Sequence, residues 1–216
     1  MTQTITRLFD NYADAKSAVH DLEDAGVRHD DLSIIANNTD GEHGHHDGHH
    51  DSVNDHGDVT RGTSTGAVLG GAGGLLAGLG LLAIPGLGPI VAAGWLAATA
   101  AGAGIGALGG AATGSIVGAL KNAGHSEEEA HVYSEGVRRG GTLVSARVPD
   151  DLAIRAEAIL QRHNSVDAAT RGSAYRQDGW TSFDDNAPAY TREQVIAERS
   201  RYGAGNETVP RSTTSF

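Results

Sequence analysis

From Gly62 to Leu120 the chain carries no Asp, Glu, Lys, Arg or His. An uncharged, largely apolar run of this length is read as covered by lipid, by the protein itself or by an assembly. Inside it, Gly66, Gly70, Gly74 and Gly78 follow Gly62 at four-residue spacing, and the pattern returns as Gly94, Ala98, Gly102, Gly106, Gly110, Gly114 and Gly118. That spacing places the small residues along one stripe of a helix. In water each such Gly costs a helix about 1 kcal/mol relative to Ala. In lipid an unsatisfied backbone costs more, so helix is enforced and the bare stripe becomes a close-packing face. Between the two runs stands Pro85-Gly86-Leu87-Gly88-Pro89, a turn sequence. Residues 64–120 are therefore predicted to form a glycine-zipper helical hairpin, a candidate membrane segment. Its packing positions are Gly66, Gly70, Gly74, Gly78, Gly102, Gly106, Gly110, Gly114 and Gly118, and its turn is Pro85, Gly86, Gly88 and Pro89.

Length bears on the membrane reading. A span needs about 20 predominantly apolar residues, which Thr65 to Ile84 supplies. Ile90 to Leu120 would measure roughly 47 Å as one helix and must tilt, protrude or break near Gly102 and Gly104. Trp95, close to the turn, sits where an interfacial anchor is expected. The alternative is a buried helical hairpin in a soluble protein, or an oligomerisation element shielded in an assembly.

The flanking segments have the periodicities of a small domain cut in two. Thr4 to Phe9 suits a strand, and Asp10 or Asn11 can cap a helix whose inward face carries Ala15, Ala18, Val19 and Leu22, with Gly26 as its stop. Leu32, Ile34 and Ala36 alternate on a second strand. After the insertion, Ser126 and Glu129 have capping-box spacing ahead of a helix bearing Ala130, Tyr133 and Val137, which Gly140 and Gly141 end. A strand with Val144, Ala146 and Val148 on one face follows, and Pro149-Asp150 starts a helix with Leu152, Ala156, Ile159 and Leu160 inward. Val166 to Ala169 is the expected last strand. The order β-α-β, insertion, helix, β-α-β predicts an α+β fold, a ferredoxin-like split βαβ domain with two helices on one face of an antiparallel sheet. Residues 1–38 form its first half, 39–63 a His/Asp/Gly-rich linker, 121–170 its second half, and 171–216 a flexible polar tail with a possible short helix over Thr191–Arg201.

Charge excludes one large class of function. The net charge is -11, and residues 1–61 hold 13 acids against 4 bases, which opposes binding to nucleic acid. With no Cys, disulfides and thiolate metal sites are absent, in keeping with a reducing cytoplasm. The N-terminus has neither the basic flank nor the apolar run of a signal peptide. In the linker, His43, His45, His46, His49 and His50 stand among Asp residues and suit zinc, nickel or copper as weak candidate ligands, yet the interspersed glycines point to a solvated loop without a resident metal. Gly104-Ile105-Gly106-Ala107-Leu108-Gly109 matches a dinucleotide fingerprint only in letters, because no strand precedes it. Arg138 and Arg139 are read as cations at a helix C-terminus. His125, His131 and His163 come with no Ser or Asp spacing that forms a triad. No catalytic site, cofactor or small-molecule substrate is expected.

Leu32-Ser33-Ile34-Ile35-Ala36, the Gly80 to Pro89 stretch Gly-Leu-Leu-Ala-Ile-Pro-Gly-Leu-Gly-Pro, and the Gly136 to Val144 stretch Gly-Val-Arg-Arg-Gly-Gly-Thr-Leu-Val together resemble the bacterial general stress protein 17M-like (YflT-like) family. The resemblance spans roughly residues 4–170 and does not include the His-rich linker. It implies a stress-induced bacterial protein with no catalytic residues to carry over. The expectation is thus a non-enzymatic, homo-oligomeric stress-response protein. Its hairpin sits in the cytoplasmic membrane and its acidic α+β domain faces the cytoplasm; the alternative is a soluble cytoplasmic interaction module whose zipper mediates assembly.

Overall fold

The computed structural model describes residues 1–41, 80–84, 86–105 and 116–203. β1 (Thr2–Phe9) leads to α1 (Tyr12–Asp24), where the Asn11 side chain accepts the Ala13 N–H at 2.8 Å and so satisfies one of the free donors of the first turn. A single 3-10 turn, His29–Asp31, precedes β2 (Leu32–Asn37), whose six residues are all buried. Next come β3 (Gly80–Ile84), β4 (Gly88–Gly94), α2 (Trp95–Ile105) and α3 (Ile116–Asn122). The capping box of Ser126 and Glu129 opens α4 (Glu127–Arg138) as the spacing predicts. β5 (Thr142–Pro149), α5 (Asp150–Arg162), α6 (Ala168–Gln177) and α7 (Arg192–Gly203) complete the chain.

The five strands form one antiparallel sheet in the order β1-β5-β2-β4-β3. β1 and β2 never touch, because β5 lies between them and pairs with both. The α+β class is thus as expected, and so is a pair of helices on one face; the addition is a second helical layer on the other face. α1 and α5 cover one face through Ala18, Val19, Leu22, Ala156, Ile159 and Leu160 against Ile34, Val144 and Val148. On the opposite face, α2, α3, α4 and α6 pack through Leu96, Leu120, Tyr133, Val137 and Tyr175 on Leu8, Ile35 and Leu143. Within α5, Ala153 is buried and Leu152 only half-buried, a small rotation of the predicted face.

The largest departure from expectation concerns the insertion. Over residues 80–94 the chain is a β-hairpin and not two helices: β3 pairs with β4, and β4 joins β2 with Ile34 opposite Ala93 and Ala36 opposite Val91. The reason is non-local. A fully buried β2 has an outer row of peptide groups that need partners, and β4 provides them. Gly86 and Gly88, at φ 76° and 81°, form the turn as predicted, but between strands. A Cβ on Gly86 would lie 2.8 Å from Asp185 Cα and one on Gly88 2.9 Å from Ala189 Cβ, so the C-terminal region closes over this turn. Pro89 pairs opposite Ala83 at the start of β4, and Pro85 lies outside the described residues. The predicted long helix from Ile90 is replaced by β4, then α2 and α3, which pack on each other.

Two further expectations are corrected. Val166 makes only an isolated bridge to Leu8, with no strand continuing to Ala169, because Asp167 caps α6 by accepting the Thr170 N–H at 2.7 Å. And residues 171–203 are not a flexible tail. Tyr175, Phe183 and Val195 are buried, and α7 lies where a helix is predicted over Thr191–Arg201.

Candidate functional site

The predicted site residues divide between described and undescribed parts of the chain. His43, His45, His46, His49 and His50 lie outside the described residues, as do Gly66, Gly70, Gly74, Gly78, Gly106, Gly110 and Gly114. Gly102 is in α2 and Gly118 is in α3, the two helices that meet. Trp95, expected at a membrane interface, is instead engaged within the domain. Its indole N–H donates to the Asp31 carbonyl at 3.1 Å, and the Arg147 guanidinium stands 4.6 Å from its ring centre. No described helix is long and apolar enough to cross a membrane, and no described group of three His, Cys, Asp or Glu could hold a metal ion.

Two polar centres emerge that sequence spacing does not reveal. The first surrounds Glu135, which is fully buried at the end of α4. Both its oxygens are bidentate to Arg138 at 2.9 Å, and Oε1 also accepts from Arg139 at 2.7 Å. Arg139 reaches Glu198 of α7 at 3.1 Å and stands 4.3 Å from the Tyr175 ring centre. Burial alone would lower the Arg139 pKa, but the hydrogen bond and charge of Glu135 outweigh it and hold it raised. Nearby, Arg171 donates to Asp10 at 2.6 Å, and Arg199 binds the Gly140 carbonyl at 2.8 Å and pairs with Asp40. These contacts fasten α6 and α7 to the domain. The cavity left among Asp10, Arg139, Arg171 and Glu198 is about 10 Å³, room for no more than one water, so the cluster holds structure and has no space for a substrate.

The second centre is a groove of about 470 Å³ along the outer edge of β1, walled by His125, Glu129 and Tyr133 on one side and by Ala153, Ile154 and Glu157 on the other. Its floor belongs to a polar rank that crosses four strands in register, Thr6 beside Ser145, Ser145 beside Ser33, and Ser33 beside Gly94. Thr6 Oγ1 lies 2.7 Å from His125 Nε2 and 2.9 Å from Ser145 Oγ, while the Tyr133 hydroxyl donates to the Thr6 carbonyl at 2.7 Å. Burial, aided by the Arg7 charge and opposed by that of Glu129, pushes the His125 pKa below its ordinary value. The sequence Thr6, His125, Glu129 has the outline of nucleophile, base and acid, but two distances decide against it. His125 Nδ1 is 3.8 Å from Glu129, beyond a hydrogen bond, and Glu129 is committed to the Ser126 N–H at 3.0 Å. Thr6 itself is buried. What the groove does offer is peptide groups, since among the described residues β1 is the last strand of the sheet on that side. Comparison with family models, curated proteins and solved structures gave no match.

Proposed function

We propose that the chain is a non-enzymatic bacterial stress-response module in which the glycine-zipper segment drives self-association of an acidic, ferredoxin-like split βαβ domain. The domain assignment is supported by the order Val166, β1, β5, β2 across the sheet, with α1 and α5 on one face. The stress-response role rests on the sequence resemblance. One observation favours assembly over a two-helix membrane anchor. Gly80–Ile84 is strand β3 paired within the sheet, so only roughly 15 residues of the expected first span remain, against the ~20 that a bilayer requires. The engagement of Trp95 with Asp31 and Arg147 supports the same reading. Membrane attachment stays as the second reading on one specific ground, the absence of charge from Gly62 to Leu120.

Carbonate washing of membranes from cells expressing the full chain, together with light scattering on the purified protein, tests the pair. An oligomer that Gly110→Leu dissociates, with the protein in the supernatant, supports assembly. Retention in the washed pellet replaces it with the membrane reading, and a monomer at every concentration overturns the role given to the zipper.

A further inference from the structure

The outer edge of β1 begins a ladder that the described residues do not finish. Leu8 exchanges two backbone bonds with Val166, N–H to O at 2.9 Å and O to N–H at 2.7 Å. In an antiparallel strand alternate residues point their peptide groups the same way, so Thr6, Thr4 and Thr2 also face outward while Gln3, Ile5 and Arg7 face β5. The chain then leaves the edge, because Asp167 caps α6. Beyond Leu8, the Thr6 carbonyl is filled by the Tyr133 hydroxyl at 2.7 Å and by Arg7 at 2.9 Å. Among the described residues the Thr6 N–H and both peptide groups of Thr4 have no partner. An open edge of this kind is what proteins ordinarily blunt or cover.

The walls specify what could lie there. A strand added to β1 turns alternate side chains to opposite sides of the sheet. One set would meet Ile5, Ala153 and Ile154, the last of these 86% exposed, an apolar strip. The other set would meet Glu129 and the His125 imidazole. Glu157 pairs with Arg7 through one oxygen, and its other oxygen is buried without a hydrogen bond among the described residues. The groove therefore holds more acceptor than donor charge. A second copy of the domain carries the same edge recessed between its own helices, which leaves no protruding strand to insert; a single extended chain has no such obstacle.

We infer that the β1 groove binds an extended segment of another polypeptide as an added sheet strand, continuing the Val166 bridge, with apolar and basic side chains in alternation. The probes are fluorescein-labelled, end-blocked (Val-Lys)4, its (Val-Glu)4 counterpart, and two forms of (Val-Lys)4 methylated on the backbone nitrogens of either all Val or all Lys, titrated against the full chain by anisotropy.

Binding of (Val-Lys)4 is expected, weakened about tenfold or more by one methylation pattern and little by the other, since only one set of N–H groups faces β1. Thr4→Pro removes an outward donor at an edge position that tolerates proline, and Ile154→Asp alters an exposed wall residue without touching the core. Each should weaken binding by about tenfold, with circular dichroism unchanged. The assignment falls if (Val-Lys)4 does not bind. It also falls if (Val-Glu)4 or both methylated peptides bind as (Val-Lys)4 does, or if folded Thr4→Pro and Ile154→Asp bind as the parent does. A dimer of the full chain that Thr4→Pro dissociates would assign the edge to a second copy instead.

Discussion

Glu135→Ala tests how the C-terminal third of the protein is held. The side chain is fully buried and is the shared partner of Arg138 and Arg139, whose side chains are only 12% and 11% exposed. Removing one member of a buried ionic group leaves charge without compensation and costs about 3–5 kcal/mol. Two features place this site at the lower end. Arg139 keeps Glu198 at 3.1 Å, and Arg138 stands 5.0 Å from the Tyr190 ring centre. A loss of about 3 kcal/mol is a large part of the ~5–15 kcal/mol that ordinarily separates folded from unfolded, and for a chain of this size it lowers Tm by about 6–12 °C. Urea unfolding followed by the fluorescence of Trp95 and Trp180 measures it directly. The triple variant Glu135→Ala, Arg138→Met, Arg139→Met removes the stranded charges and should regain part of the loss. A single variant that loses less than ~1 kcal/mol, or a triple variant less stable than the single, refutes the reasoning.

Acid should destabilise the protein through His125. Its folded pKa lies below the ordinary 6.5, so the unfolded chain binds the proton more tightly and stability falls as pH drops below that value. Urea midpoints from pH 7.5 to 5.5 should decline, and His125→Gln should flatten the decline. Gly94→Ala places a Cβ 2.1 Å from the Leu32 carbonyl oxygen at φ 90°, and a loss above ~3 kcal/mol, or failure to accumulate as soluble protein, is expected. Val195→Asp puts a charge at a fully buried contact on Gly140, and limited proteolysis should then cut near α7 at sites protected in the parent.

What was legible in the sequence was what neighbours in the chain decide. The Asn11 cap, the capping box of Ser126, the Gly26 stop and the alternation of Val144, Ala146 and Val148 all act within a few residues, and each appears where predicted. The β3–β4 hairpin was not legible, because a Gly, Leu and Ile run satisfies helical and extended patterns alike. Its state is set by the unfilled edge of β2, a demand raised 40 residues or more earlier in the chain. In the C-terminal region the helix over Thr191–Arg201 was legible, but the contacts that fasten it were not, for a similar reason. Arg171, Tyr175 and Val195 read as polar-tail residues until Asp10, Arg139 and Gly140 give them partners. Of the β1 groove, the strand and the wall helices could each be read but not their meeting, since both helices lie more than a hundred residues beyond β1.

The separation of β1 from β2 has a consequence for synthesis. Both lie within residues 2–37, yet the strand that joins them begins at Thr142. At about 5–20 residues per second the intervening hundred or so residues take roughly 5–20 s to emerge, and for that time the Ile34 strand and the α1 helix have half a sheet to rest on. The uncharged segment emerges during the same interval. Until β5 arrives, β1 has no strand beside it and β2 has only the β3–β4 hairpin, so the sheet closes late, after the uncharged segment has already been made.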